Sequence, residues 1–432
     1  MSTENSWGSR SLKGVWHPCT QMKFHEDFLP IVIKEAHGVR LIDEFGNSYI
    51  DAVSSWWVNL FGHQNERIKC AIIDQLNKLE HVMLAGFSHP PVIELSERLN
   101  KKTNNLLGHA FYASDGASAT EIALKMSAHY WRNKGLAQKN QFIALTKSYH
   151  GETIGALGIT DIPIFKQAYA DLIRSASLMP VPYSNDDSEI DSCLNYVKVY
   201  LQEHHQNLSS IIVEPLVQAA AGMLFYPQRY LEELSLLAKQ YQIHLIVDEI
   251  AMGFGRTGTF FAYQHTNAKP DFICLSKGIT GGFLPLSAVL TTDDVYHAFY
   301  TNNITQGFLH SHSYTGNPLA CRAAIEVLNI FDDEQILEKN NARSSVFKDM
   351  LLPLTGHPFV TSWRHIGMIW VFDINTKSPT FAKDCYRVGL SHGILIRPIG
   401  NHLYFMPPYT ITDIEFEELV TATVKVLNEV EL

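Results

Sequence analysis

The chain has 432 residues, enough for one large core or two. Hydrophobic residues make up 46 % and charged residues 18 %, a globular composition, and a formal net charge of −10 excludes an electrostatic case for nucleic acid or an anionic membrane surface. Six scattered cysteines without a C-x-x-C pair suit neither a disulfide framework nor a zinc site and fit a reducing compartment.

The N-terminal stretch MSTENSWGSRSLKG lacks the apolar core of a signal peptide, and no apolar run reaches the ~18–20 residues of a membrane span, so the expected location is the cytoplasm. Residues 31–51, IVIKEAHGVRLIDEFGNSYID, read as a hairpin with turn signals at His37-Gly38 and Phe45-Gly46-Asn47. The stretch ATEIALKMSAHYWRNKG puts Ile122, Met126 and Tyr130 on one helical stripe that Gly135 ends. The runs QFIALTK (141–147), SSIIVEP (209–215), IHLIVDE (243–249) and DFICLSK (271–277) are apolar on successive residues, as strands covered on both faces are. YLEELSLLAKQYQ (230–242) lies between them as a helix. Beyond residue 330, helices mix with short strands such as MIWVFDI. This alternation predicts an α/β fold: a large central domain (56–330) with a mostly parallel sheet sandwiched by helices, flanked by a smaller α+β domain from both termini (1–55 and 331–432).

In such sheets, ligands sit outside the carboxyl ends of the strands. Those ends offer Lys147, Glu214, Asp248 and Lys277. A buried charge needs a partner or a ligand. Asp248 could simply pair with a basic residue that ties the sheet together. A carboxylate and an amine at the ends of separate buried strands are also the equipment for pyridoxal phosphate (PLP): the one holds a pyridinium nitrogen protonated, the other forms a Schiff base with the aldehyde. Gly116 and Ala117, at the mouth of a helix, offer free N–H groups for a phosphate, although any helix start looks similar. Tyr149, just past a strand, offers a ring to stack on.

The stretches IVDEIAMGFGRTG, LSKGITGGFLPLS and HSHSYTGNPLAC resemble the signature of the class III aminotransferases, PLP enzymes of fold type I. The resemblance runs over nearly the whole chain. It implies that Lys277 carries the cofactor, Asp248 binds its ring nitrogen and Tyr149 stacks on the ring. It further implies that Gly116 and Ala117 hold the phosphate, with Ser313 reaching it from the second subunit of a homodimer. The stretches VWHPCTQM, SSWW (54–57) and IRPIGNHLYFMPPY (396–409) resemble the branch of the class that works in biotin synthesis. That branch converts 8-amino-7-oxononanoate to 7,8-diaminononanoate by ping-pong transamination, with S-adenosylmethionine as the expected amine donor and lysine a variation. The resemblance implies a substrate channel lined by Trp56 and Trp57, with Arg256 and Tyr404 nearby and Arg397 meeting the carboxylate of the oxo acid. The chain departs from the pattern in three places. Cys19 stands where many members carry a Tyr that helps place the donor, Ala117 where Ser is frequent, and Ser313 where Thr is usual.

Other readings compete. Another class III aminotransferase, acting on ω-amino acids or diamines, shares the core motifs. Gly253, Gly255 and Gly258 match the G-x-G-x-x-G fingerprint of a nicotinamide dehydrogenase, but that fingerprint should join a strand directly to a helix and DEIAM intervenes. LIVDEI resembles the acidic strand of P-loop ATPases, without a P-loop anywhere in the chain. SSWW could be two core aromatics, and HSHS (310–313) has no acidic or cysteine partners at metal-ligand spacing, so no metal is expected.

Overall fold

The computed structural model describes residues 6–431, so the first five residues of the N-terminal stretch read above lie outside the described residues. Strands β1 (Ile33–His37), β2 (Arg40–Asp43) and β3 (Ser48–Asp51) form an antiparallel meander. Its two turns carry Gly38 and Gly46 at φ +56° and +88°, the left-handed region that only glycine enters freely. The hairpin expected from the sequence therefore gains a third strand. β4 (His109–Ala113), β5 (Gln141–Leu145), β6 (Ser177–Met179) and β7 (Leu208–Val213) follow, then the short antiparallel pair β8 (Val217–Gln218) and β9 (Leu224–Phe225). β10 (His244–Asp248), β11 (Phe272–Leu275) and β12 (Ser287–Thr291) complete a seven-stranded sheet ordered β4-β12-β11-β10-β7-β5-β6. β12 runs antiparallel to both neighbours, while the pairings from β11 through β6 are parallel.

All residues of β7, β10 and β11 are buried, which is why they are apolar on successive positions. The helix Gly116–Asn133 packs on β11 and β12 through Ile122, Met126 and Tyr130, the stripe read from the sequence. Asp115 caps it, accepting the Ser118 N–H at 2.8 Å.

The C-terminal segment holds β13 (Val360–Ile366), β14 (Ile369–Ile374), β15 (Ile394–Leu395) and β16 (His402–Phe405). β13, β14 and β16 form an antiparallel sheet, and β15 pairs in parallel with β3. Residues from the two ends of the chain thus share one sheet. No helix among the described residues is long and apolar enough to cross a membrane.

Candidate active site

A cavity of about 780 Å³ opens beyond the carboxyl ends of β7, β10 and β11. Three of the four strand-end residues line it: Glu214, Asp248 and Lys277. Lys147 does not. Its Nζ lies 4.7 Å from the Tyr183 ring centroid, outside the cavity.

Lys277 opens a single 3-10 turn, Lys277–Thr280, directly after β11. Its amine lies 4.3 Å from the centroid of the Trp57 ring. Burial lowers its pKa to about 8, opposed by the negative charges of Asp248 and Glu214. The glycines after it answer to space and backbone. A Cβ on Gly278 would press on Leu60 and Phe254 at 3.3 Å, and one on Gly282, at φ +90°, would meet the Asn59 backbone at 3.1 Å.

Asp248 ends β10 with its carboxylate buried. Oδ1 accepts the Ile250 N–H at 3.0 Å, and Oδ2 lies 2.7 Å from His150 Nδ1. His150 is itself buried, and its Nε2 has no hydrogen-bond partner among the described residues. A carboxylate only accepts, so Nδ1 is the donor. The neighbouring Tyr149 gives its N–H to Glu214 Oε2 at 2.9 Å and its hydroxyl to Glu152 at 2.9 Å. Burial raises the Tyr149 phenol and also raises the Glu214 carboxyl, to about 7. Neither His150 nor Glu214 was among the site residues expected from sequence. Glu214 could have been included because it too ends a buried strand.

The mouth of the helix Gly116–Asn133 faces the same cavity. A Cβ on Gly116 would meet Ile250 at 3.0 Å, and one on Gly151 (φ +120°) would fall 2.6 Å from the Ala117 Cβ. The backbone at this mouth is therefore approached closely, and side chains larger than those present would fill it.

The opposite wall holds Trp56 and Trp57. They belong to four consecutive residues in the left-handed region, with φ of 51° at Ser54, 47° at Ser55, 70° at Trp56 and 72° at Trp57. For non-glycine residues this costs about 1–2 kcal/mol each, so the surroundings must enforce it. Asp51 accepts the Val53 N–H and, at 2.6 Å, the Ser55 hydroxyl. Ser54 Oγ donates to the Met406 carbonyl at 2.7 Å. Trp57 Nε1 donates to the Tyr404 hydroxyl at 3.0 Å, which fixes both rings on the cavity wall.

Arg256, expected near the substrate, lies behind the cavity wall. The residue is 1 % exposed and does not line the cavity. Its guanidinium donates to the carbonyls of Trp57, Asn59 and Pro407. It braces the back of the tryptophan turn.

Arg397 does line the cavity, with its Cζ 5.1 Å from the Trp56 ring centroid and 5.7 Å from that of Tyr386. Among the described residues, Lys277 is the one other lysine or arginine that lines it. Cys19, exposed and at φ 48°, stands on the same wall. Its thiol is pushed up by burial and by Glu152. Ser313 stands apart from this cavity, exposed after Leu309. The expectation had placed it at the site of a second copy, not of its own chain. The residues after β10 that carry the G-x-G-x-x-G match form turns from Ile250 to Thr257 and start no α-helix, contrary to what a dinucleotide fingerprint requires.

PLP asks for an enclosed amine, an anion near a ring nitrogen and a cradle for phosphate. The lowered Lys277 amine, the fixed Asp248 carboxylate and the close-packed mouth at Gly116, Ala117 and Gly151 fit these three demands.

The sequence profile described as aminotransferase class-III matches residues 22–427. An adenosylmethionine-8-amino-7-oxononanoate aminotransferase of Helicobacter pylori is 45 % identical over 99 % of both chains. The crystal structure of the protein of the same name from Methanocaldococcus jannaschii superposes with a TM-score of 0.92 at 34 % identity, covering 98 % of each chain. An amine transaminase from an uncultivated Pseudomonas species, in its PLP-bound form, gives 0.90 at 27 % identity over 96 % of this chain and 98 % of that one. The chain belongs to the class III aminotransferases.

Proposed function

We propose that this aminotransferase uses PLP to convert 8-amino-7-oxononanoate to 7,8-diaminononanoate, with S-adenosylmethionine as amine donor. The fold alone does not choose the acceptor, because an amine transaminase shares it at a TM-score of 0.90. Full-length identity to relatives named for this reaction favours it. The observation within the structure that carries the reading is Arg397. Among the described residues it is a cation without a carboxylate partner within hydrogen-bonding reach, on the cavity wall beside Trp56, Leu395 and Ile399. An oxo acid whose carboxylate ends a long apolar chain needs such a channel and such a cation, and the guanidinium fork suits a carboxylate.

Lys277 would hold the aldehyde end of the cofactor, Asp248 its ring nitrogen, Tyr149 a ring face, and Gly116 and Ala117 the phosphate. When bound, PLP supplies the electron sink for charge developing at the amine-bearing carbon. An amine titrating near 8 is partly unprotonated at neutral pH, so Lys277 Nζ can take up a proton and return it. His150 keeps the Asp248 carboxylate oriented through Nδ1. Trp57, held by Tyr404, closes one side of the cavity against water.

We read the protein as cytoplasmic and as a homodimer in which Ser313 of one subunit serves the cofactor phosphate of the other. Exposed Met83, Phe87 and Tyr314 support an interface, with His81 and Tyr314 rings 5.0 Å apart tying the two segments into one patch. We take 1–55 with 331–432 and 56–330 as its two domains. The test of the function is the absorption spectrum of the cofactor-loaded protein mixed with each donor separately. A donor that changes the spectrum, and lets 8-amino-7-oxononanoate restore it, supports the reading. No change with S-adenosylmethionine overturns the donor.

A further inference from the structure

We infer that Asp51 is a positioning residue for the acceptor subsite: it locks the left-handed turn Ser54–Trp57 and thereby holds Trp56 against Arg397. The inference rests on the reading of Arg397 as the carboxylate anchor.

Asp51 is fully buried at the end of β3. It contributes no atom to the cavity wall. Its Oδ1 accepts the Val53 N–H at 3.3 Å. Its Oδ2 accepts the Ser55 hydroxyl at 2.6 Å and lies 3.3 Å from His63 Nε2. One carboxylate thus meets the start and the middle of a segment whose next residue is Trp56. Four successive non-glycine residues at positive φ do not hold that conformation unaided. The far end is tied by Arg256 to the Trp57 and Asn59 carbonyls and Ser54 by its hydroxyl to the Met406 carbonyl, which leaves Asp51 as the group that holds Ser55, the residue before Trp56.

The consequence lies at Trp56. The residue is 46 % exposed, so burial alone does not fix it. Yet the Arg397 guanidinium sits 5.1 Å from its ring, with Tyr386 5.7 Å away as a second aromatic. A guanidinium held over aromatic faces keeps its N–H edges free for a carboxylate and loses less freedom on binding one. If the turn relaxes toward right-handed backbone, Trp56 leaves and the fork of Arg397 is no longer preoriented.

The test uses Asp51→Asn and the milder Ser55→Ala, which removes the Ser55 hydroxyl from Oδ2 and leaves the Val53 and His63 contacts, beside Arg397→Ala. Nonanoate, a straight-chain monocarboxylate, is titrated into the cofactor-free protein by calorimetry, and near-ultraviolet circular dichroism reports the tryptophans. Each half-reaction is then measured on the loaded dimer. Both turn variants should weaken nonanoate by about fivefold, the size of one cation–π contact. They should raise KM for the oxo acid, change the tryptophan signal and leave the donor half-reaction within about twofold. Arg397→Ala should weaken nonanoate more. If Asp51→Asn and Ser55→Ala lower the melting temperature while nonanoate affinity and acceptor KM stay as in the wild type, Asp51 is merely structural and the inference falls. If Arg397→Ala itself leaves the acceptor half unchanged, it is the carboxylate reading that fails.

Discussion

His150 and Asp248 meet at 2.7 Å, Nδ1 to Oδ2, with side chains 0 % and 5 % exposed. The contact spans 98 residues of chain and joins the loop after β5 to the end of β10. Replacing His150 by Ala removes the donor and leaves a buried carboxylate oxygen unpaired. That should cost about 1–3 kcal/mol of stability, read by chemical denaturation of the cofactor-free protein. Asp248→Asn should keep the fold and lower kcat by orders of magnitude, as neutralised orienting carboxylates do elsewhere. Near-normal turnover by Asp248→Asn would refute its role.

Lys277 titrates near 8 in the folded chain against its ordinary value of 10.5, because burial disfavours the ammonium form. Between these values the unfolded chain binds a proton that the folded chain lacks, so stability rises with pH across this window. Lys277→Met removes the penalty. The cofactor-free variant should be more stable than the wild type at pH 7, and the gap should shrink as pH rises from about 8 toward 10.5. Thermal unfolding at several pH values checks this, and a gap independent of pH contradicts it.

Glu214 holds a proton up to about pH 7, chiefly because it is buried, and its negative charge raises the Lys277 amine. Glu214→Gln should therefore move the Lys277 titration lower. The pH dependence of amine labelling by trinitrobenzenesulfonate, compared with the wild type, reads the direction. An upward movement would mean the two groups do not couple as described.

If Ser313 serves the phosphate of the second subunit, cofactor retention depends on dimerisation. Sedimentation of loaded protein over a dilution series should show PLP leaving as the dimer dissociates. A monomer that keeps PLP and turns over excludes the shared site.

Arg397→Ala should raise KM for the oxo acid and spare the donor half-reaction. A charge-assisted hydrogen bond contributes roughly 1.5–3 kcal/mol, so kcat/KM should fall by about ten- to more than a hundredfold. Single-turnover measurement of each half separates the two outcomes, and damage confined to the donor half would misplace the carboxylate.

The buried strands were legible because doubly covered strands are apolar at successive positions, and β5, β7, β10 and β11 lie where those runs fall. Their polar ends offered Lys147, Glu214, Asp248 and Lys277, of which the last three line one cavity and Lys147 does not. What was not legible depends on contacts distant in sequence. Arg256 reads like a binding residue, yet its two terminal nitrogens donate to the carbonyls of residues 57, 59 and 407 behind the cavity wall. Nothing in SSWW announces a left-handed turn, since its cause is Asp51 in front and Arg256 behind. β12 gives no local sign that it runs against its neighbours, because an antiparallel strand buried on both faces has the same composition as a parallel one.

The most direct measurement is mass-spectrometric detection of 7,8-diaminononanoate from PLP-loaded protein supplied with S-adenosylmethionine and 8-amino-7-oxononanoate. The wild type should form it over many turnovers, while Lys277→Ala should bind PLP and form none beyond a single equivalent. Sustained product from Lys277→Ala, or none from the wild type with this acceptor and any donor amine, would contradict the account.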